Sequence, residues 1–208
     1  MSSDDGAGRG RSDTVRRVVI LIAALNLAYF GVEFAVALGI GSVSLFADGI
    51  DFLEDASVSF LIAVALGWGA ARRARVGMIL AGVLLVPALA AVWAAVTKLV
   101  SPVPPDPVPI MVTGVGALVV NLSCALILAR VRAHAGSLTH AAFLSARNDV
   151  VANVAIIVAG VTTVVTHSVW PDLLVGVGIV LMNAGAAREV WLAARDEHRA
   201  AVSDRQGS

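Results

Sequence analysis

Asp48, Asp51, Glu54 and Asp55 sit inside a stretch of chain that otherwise reads as membrane-buried, and Asn148 and Asp149 interrupt a second such stretch much further along. An ionised carboxylate at bilayer depth costs roughly 2.5–3.5 kcal/mol even on insertion scales. Acids gathered on two helices at matching depth therefore need a cation, a proton or a water-filled cavity to sit against. Asp51 and Asp55 are four residues apart, one turn above each other on a single helix face, and Asp48 extends that stripe. Ser145, Asp149 and Asn153 make an equivalent stripe at i, i+4 and i+8. Brought together, the two faces offer Asp51, Asp55, Ser145 and Asp149, the number a tetrahedral divalent ion takes, with zinc–oxygen distances of about 2.0–2.2 Å. Water, Asn148 or Asp48 could complete the shell. An all-oxygen set suits hard ions such as Mn²⁺ or Mg²⁺ and tolerates Zn²⁺.

The elements that must position these residues are membrane helices. The chain of 208 residues is 58% hydrophobic and only 14% charged, where a soluble domain carries about a quarter charged residues. With a mean hydropathy of +0.87 it reads as an all-α integral membrane protein. Zero formal net charge argues against nucleic-acid binding, and the single cysteine, Cys124, excludes an intrachain disulfide framework. Segments of about 20 apolar residues predict six spans, at 15–38, 44–68, 76–99, 107–129, 139–166 and 171–194. Residues 1–14 read as a disordered cytoplasmic tail and 196–208 as a short cytoplasmic tail, leaving 15–195 as the transmembrane domain. Gly39 to Ser42 makes a tight turn, and the proline-rich run from Ser101 to Pro107 cannot continue a helix. Pro171 and Asp172 suit the first turn of the sixth helix. Ala35-Val36-Ala37 has the form of a signal-cleavage site, but its apolar run is too long for a signal peptide and contains Glu33.

Basic residues set the expected orientation. Arg9, Arg11, Arg16 and Arg17, then Arg72, Arg73 and Arg75, then Arg130 and Arg132, and finally Arg188, Arg195 and Arg199 all fall on one side of six spans. The other side has little beyond Lys98. The positive-inside rule puts both termini in the cytoplasm of a cell (inner or plasma) membrane protein, with Trp68 and Trp170 as interfacial anchors. The acidic helices are the middle ones of two three-helix halves, and Asn26-Leu27 is echoed by Asn121-Leu122. Inverted halves of this kind are a common transporter plan.

The run from Gly41 to Asp55, GSVSLFADGIDFLED, resembles helix two of the cation diffusion facilitators, and the run from Ala141 to Asn153, AAFLSARNDVVAN, resembles their helix five. The resemblance covers essentially the whole membrane region. It implies a six-helix bundle that exchanges metal for protons through a His/Asp-x-x-x-Asp pair on each of those helices. Asp51 and Asp55 match the helix-two pair, and Asp149 matches the second helix-five ligand. Ser145 stands where the family usually carries His or Asp. The family's cytoplasmic domain is expected to be absent, so a homodimer would be held by membrane helices. The expected activity is export of Zn, Co, Cd, Mn or Fe as transported ion, with no tightly bound cofactor and no nucleic-acid partner. Clustered carboxylates hold a proton that an arriving divalent ion expels, and rocking between two access states couples the two fluxes.

Blander roles compete at several positions. Asp48 could bind backbone or a neighbouring helix as well as an ion, and Glu54 could pair with Arg147. Asn26, Asn121 and Asn153 fit interhelical hydrogen bonds better than ligation. Glu33 suits either a proton path or a structural pairing. His134 and His140 flank an entrance loop, and Cys124 reads as an apolar filler. Two other functions are open at this stage. One is a membrane CDP-alcohol phosphatidyltransferase, whose aspartate signature is imitated by Asp48, Asp51 and Asp55 but which leaves helix five unexplained. The other is a non-transporting membrane scaffold or metal sensor.

Overall fold

The computed structural model describes residues 4–65, 89–131 and 136–183. Among them are six helices and no strand: α1 (Asp4–Ile40), α2 (Val43–Ala65), α3 (Leu89–Val100), α4 (Pro107–Val131), α5 (Gly136–Thr166) and α6 (Trp170–Asn183). Trp68, the Arg72–Arg75 cluster, Arg132, His134, Arg188, Arg195, Arg199 and the expected C-terminal tail lie outside the described residues, as do parts of the second, third and sixth expected spans.

Among the described residues, three helices are long and apolar enough to cross a membrane: Thr14–Ile40, Pro107–Arg130 and Ala146–Thr166. The first, at 27 residues, rises about 40 Å against a hydrocarbon core of about 30 Å. α2 is long enough too, but its four carboxylates lower its hydropathy, as expected of a helix lining a polar site. α3 and α6 are described over segments too short for a full crossing.

The distribution of polarity is that of a protein dissolved in lipid. Leu38, Val112, Val119, Val151, Val158 and Val165 are exposed, whereas Asn26, Glu33, Asp48, Asp51, Asn121, Asp149 and Asn153 are buried. Water would reward the reverse arrangement, whereas hydrocarbon tolerates apolar skin and drives polar groups inward. Beneath the skin, one core draws on all six helices, through Ala37, Leu45, Phe46, Ile50, Ala91, Ile110, Ile156 and Ile179 among others. A second cluster joins Ile22, Cys124, Leu128 and Ala146 of α1, α4 and α5. Cys124 is thus buried between helices, with its thiol 4.0 Å from Asn26 Oδ1. Between α4 and α5, small residues allow close approach: a Cβ at Gly114 would lie 3.1 Å from Ile157 Cγ1.

Helix boundaries follow from local chemistry. α1 ends where Gly41 adopts φ 64° and the Ser42 amide reaches back to the Ala37 carbonyl (3.1 Å), a glycine C-cap closing a tight reversal into α2. α5 ends similarly, at His167 with φ 49°. α1 begins at Asp4 where a disordered tail over 1–14 is expected from sequence. Gly6, Gly8 and Gly10 weaken the helical signal of that segment.

The N-terminus of α2 is held by another helix. Asp172, fully buried in α6, accepts hydrogen bonds from Ser42 Oγ (2.6 Å), Ser44 Oγ (2.6 Å), the Val43 amide (2.8 Å) and the Ser44 amide (3.2 Å). Sequence reasoning gives this aspartate to the first turn of its own helix; the structure turns it onto the first turn of α2. That helix has no acid in its first turn to meet its amides, and Asp172 supplies one from across the bundle. Gly176, one turn on, lets α6 approach: a Cβ there would lie 2.7 Å from the Val43 carbonyl carbon. Lys98 of α3 donates to the Gly41 carbonyl (2.5 Å), closing the same end of the bundle.

Candidate cation site

α2 and α5 pack directly on one another, and their acidic faces meet. Asp51 and Asp149 are both buried, each 7% exposed, on facing helices. Each has one carboxylate oxygen, Oδ2, enclosed without a hydrogen-bond partner. Asp51 interacts electrostatically with Asp48, Asp149 and Asp55, and Asp149 with Asp55 and Asp48. Asp55 is half-buried. The stripe expected on α2 is therefore present as a continuous acidic face, and Asp149 stands across from it.

Other expected residues fall differently. Asn148 is exposed, about 100° around α5 from its neighbour Asp149, and so stands off the buried face. Ser145 lies within α5, but its side chain is outside the described set, as is that of His140. Asp48 is fully buried and lies about 4.5 Å of helix rise nearer the N-terminus of α2 than Asp51. Its Oδ1 accepts from Asn153 Nδ2 at 3.4 Å, and the same amide donates to the Asp149 carbonyl oxygen at 2.6 Å. Asn153 thus ties α5 to α2, the interhelical bonding expected of it. Glu54 is half-buried and Arg147 is exposed.

One residue at the site is missed by sequence reasoning. Asn183 of α6 donates its side-chain amide to Asp51 Oδ1, bringing a third helix to the acidic pair. The available signal is a lone amide after Leu181 and Met182 in an apolar run, the kind of intramembrane polar residue that finds a partner across helices.

Among the described residues, no three His, Cys, Asp or Glu side chains form a group poised to hold a metal ion as arranged. The carboxylates are near enough to repel, and Asn183 occupies one oxygen of Asp51. Chemically, the arrangement offers buried carboxyl oxygens with excess negative charge, on helices packed directly against each other.

The chain matches the family model of the cation efflux transmembrane domain over residues 19–196, a segment that contains α2, α5 and all the acidic residues above. Comparison with curated proteins gives no match. With the helical membrane architecture, this coverage decides the assignment: the chain belongs to the cation efflux family, the cation diffusion facilitators, and carries their transmembrane domain.

Proposed function

We propose that this protein exports a divalent transition-metal ion from the cytoplasm in exchange for protons, with Asp51, Asp55, Asp149 and Ser145 as the transport ligands. The observation that carries this reading is the pair of buried, unpartnered carboxylate oxygens on Asp51 and Asp149, facing each other from α2 and α5. Family membership supports cation efflux across a membrane as the activity and leaves the phosphatidyltransferase alternative without support. The transported ion is Zn²⁺, Co²⁺, Cd²⁺, Mn²⁺ or Fe²⁺; it is cargo and not a resident cofactor.

The mechanism rests on competition for the same oxygens. Without metal, neighbouring carboxylates in a desolvated site cannot all carry charge, and protons neutralise them. A divalent ion supplies that neutralisation instead and displaces the protons, so the site carries one or the other through each half-cycle. Asn183 holds Asp51 in the metal-free state, and its release frees the second oxygen for ligation. Asp172 fixes the far end of α2 to α6, so the two helices move as one unit while α5 approaches or recedes. Alternating access follows from rocking of such units around a fixed site. Arg16 and Arg17 preceding the apolar part of α1 support a cytoplasmic N-terminus.

The test is uptake of radioactive Zn²⁺ into proteoliposomes under an imposed pH gradient, with Mn²⁺, Co²⁺, Cd²⁺ and Fe²⁺ as competitors. Gradient-driven uptake suppressed by one or more of these ions is expected, and the strongest competitor ranks the selectivity. Absence of uptake and of any competitor-driven flux from folded protein would contradict the proposal.

A further inference from the structure

A second set of buried oxygens lies nearer the N-terminal end of α2. Glu33, on α1, is 0% exposed, and no amide, hydroxyl or cationic group donates to either of its carboxyl oxygens. Its side chain is laid against α2, since a Cβ at Gly49 would lie 3.8 Å from Glu33 Cγ, and its carboxyl is in hydrogen-bond contact with the carboxyl of Asp48. Asp48 is also 0% exposed; besides the Glu33 carboxyl it meets the 3.4 Å approach of Asn153 Nδ2 at Oδ1, and no amide or hydroxyl donates to its Oδ2. Asn153, 0% exposed on α5, points its amide at Asp48 and leaves its own Oδ1 enclosed without a donor. Three helices thus bring the touching carboxyls of Glu33 and Asp48 and the donor-free Asn153 Oδ1 together in the interior.

Two carboxyls pressed together oppose folding unless a proton or a cation lies between them, and a lipid-embedded bundle offers no water to relieve them. A proton there leaves the Asn153 carbonyl without a donor, whereas one cation serves both carboxylates and that carbonyl together. Two carboxylates match a divalent charge, and an all-oxygen donor set selects a hard ion.

We propose that Glu33, Asp48 and Asn153 form a second binding site for a hard divalent cation, next to the Asp51–Asp149 pair and separate from it. Its purpose, a station on the path of the transported ion, rests on the transport reading above; the binding itself does not.

The experiment counts Mn²⁺ bound to the purified full chain in detergent, from the loss of the free-ion paramagnetic resonance signal. Wild type is expected to hold two ions per chain, Glu33→Gln one, and the double variant Asp51→Asn with Asp149→Asn one. A single ion in wild type that persists in Glu33→Gln overturns the second site and leaves the transport site standing. A single ion lost in Glu33→Gln but kept in the double variant upholds the second site and overturns the transport ligands. No bound ion in folded wild type overturns both. Asn153→Ala keeps every carboxylate and provides an independent check should Glu33→Gln fail to fold: one of the two ions should bind at least about tenfold more weakly, and unchanged binding overturns the proposal.

Discussion

Removing the Asp172 carboxylate should loosen the bundle more than any other single polar change at the Lys98 end. In the wild type it accepts four hydrogen bonds, two from serine hydroxyls and two from the opening amides of α2, in full burial. Hydrogen bonds to a charged group contribute about 1.5–3 kcal/mol each, but bonds sharing one acceptor do not add. Breaking a buried charged network by deleting one partner costs about 3–5 kcal/mol, because the remaining donors are stranded. Asp172→Ala should therefore destabilise by about 3–5 kcal/mol. For a chain of this size that is a fall in melting temperature of about 10 °C. Ser42→Ala removes one bond of the four and also the Leu45 amide's cap bond to Ser42 Oγ (3.2 Å), and should cost about 2 kcal/mol, or about 6 °C. The assay is thermal unfolding in detergent, followed by circular dichroism, on both single variants and the double variant. Once Asp172 is already gone, Ser42→Ala should still cost about 1 kcal/mol through the lost Leu45 cap, giving a coupling of about 1 kcal/mol. If Asp172→Ala melted within about 2 °C of wild type, or if the two substitutions were fully additive, the carboxylate would not be the clamp described here.

Three further outcomes follow from the same geometry. Gly176→Ala places a methyl 2.7 Å from the Val43 carbonyl carbon and should destabilise by about 1–3 kcal/mol through overpacking, measured by the same melts. Asn183→Ala frees Asp51 Oδ1, and loss of a competing bond worth about 1 kcal/mol should tighten divalent-ion binding about fivefold in titration calorimetry. Ser145→His installs an imidazole where the family pattern carries His or Asp, and should shift selectivity from Mn²⁺ towards Zn²⁺ by about tenfold, read from competition between the two ions.

Much of this was legible in the sequence because intramembrane charge is so costly. Asp48, Asp51 and Asp55 could be assigned to one face of one helix from spacing alone, and Asp149 to a facing helix from its isolation in an apolar run. The turn at Gly41 and the break before Pro107 were equally plain, since glycine and proline constrain the backbone wherever they occur. Partners across the bundle were not legible. Asp172 sits at a helix start where a local role suffices, and only the approach of α6 through Gly176 turns it onto α2. Asn183 and Glu33 carry no spacing signal, because each acts alone on its helix and acquires its neighbours from packing. The helical start at Asp4 was hidden by the glycines that follow it.

The central claim is that carboxylates on α2 and α5 jointly bind a metal ion in competition with protons. The most direct measurement is metal-dependent proton movement in proteoliposomes loaded with a pH dye, comparing wild type with Asp51→Ala and Asp149→Ala across Zn²⁺, Mn²⁺, Co²⁺, Cd²⁺ and Fe²⁺. Proton flux coupled to at least one metal in wild type, and lost in both variants, is the expected result. Flux that survived either substitution, or no flux with any metal from folded protein, would contradict it.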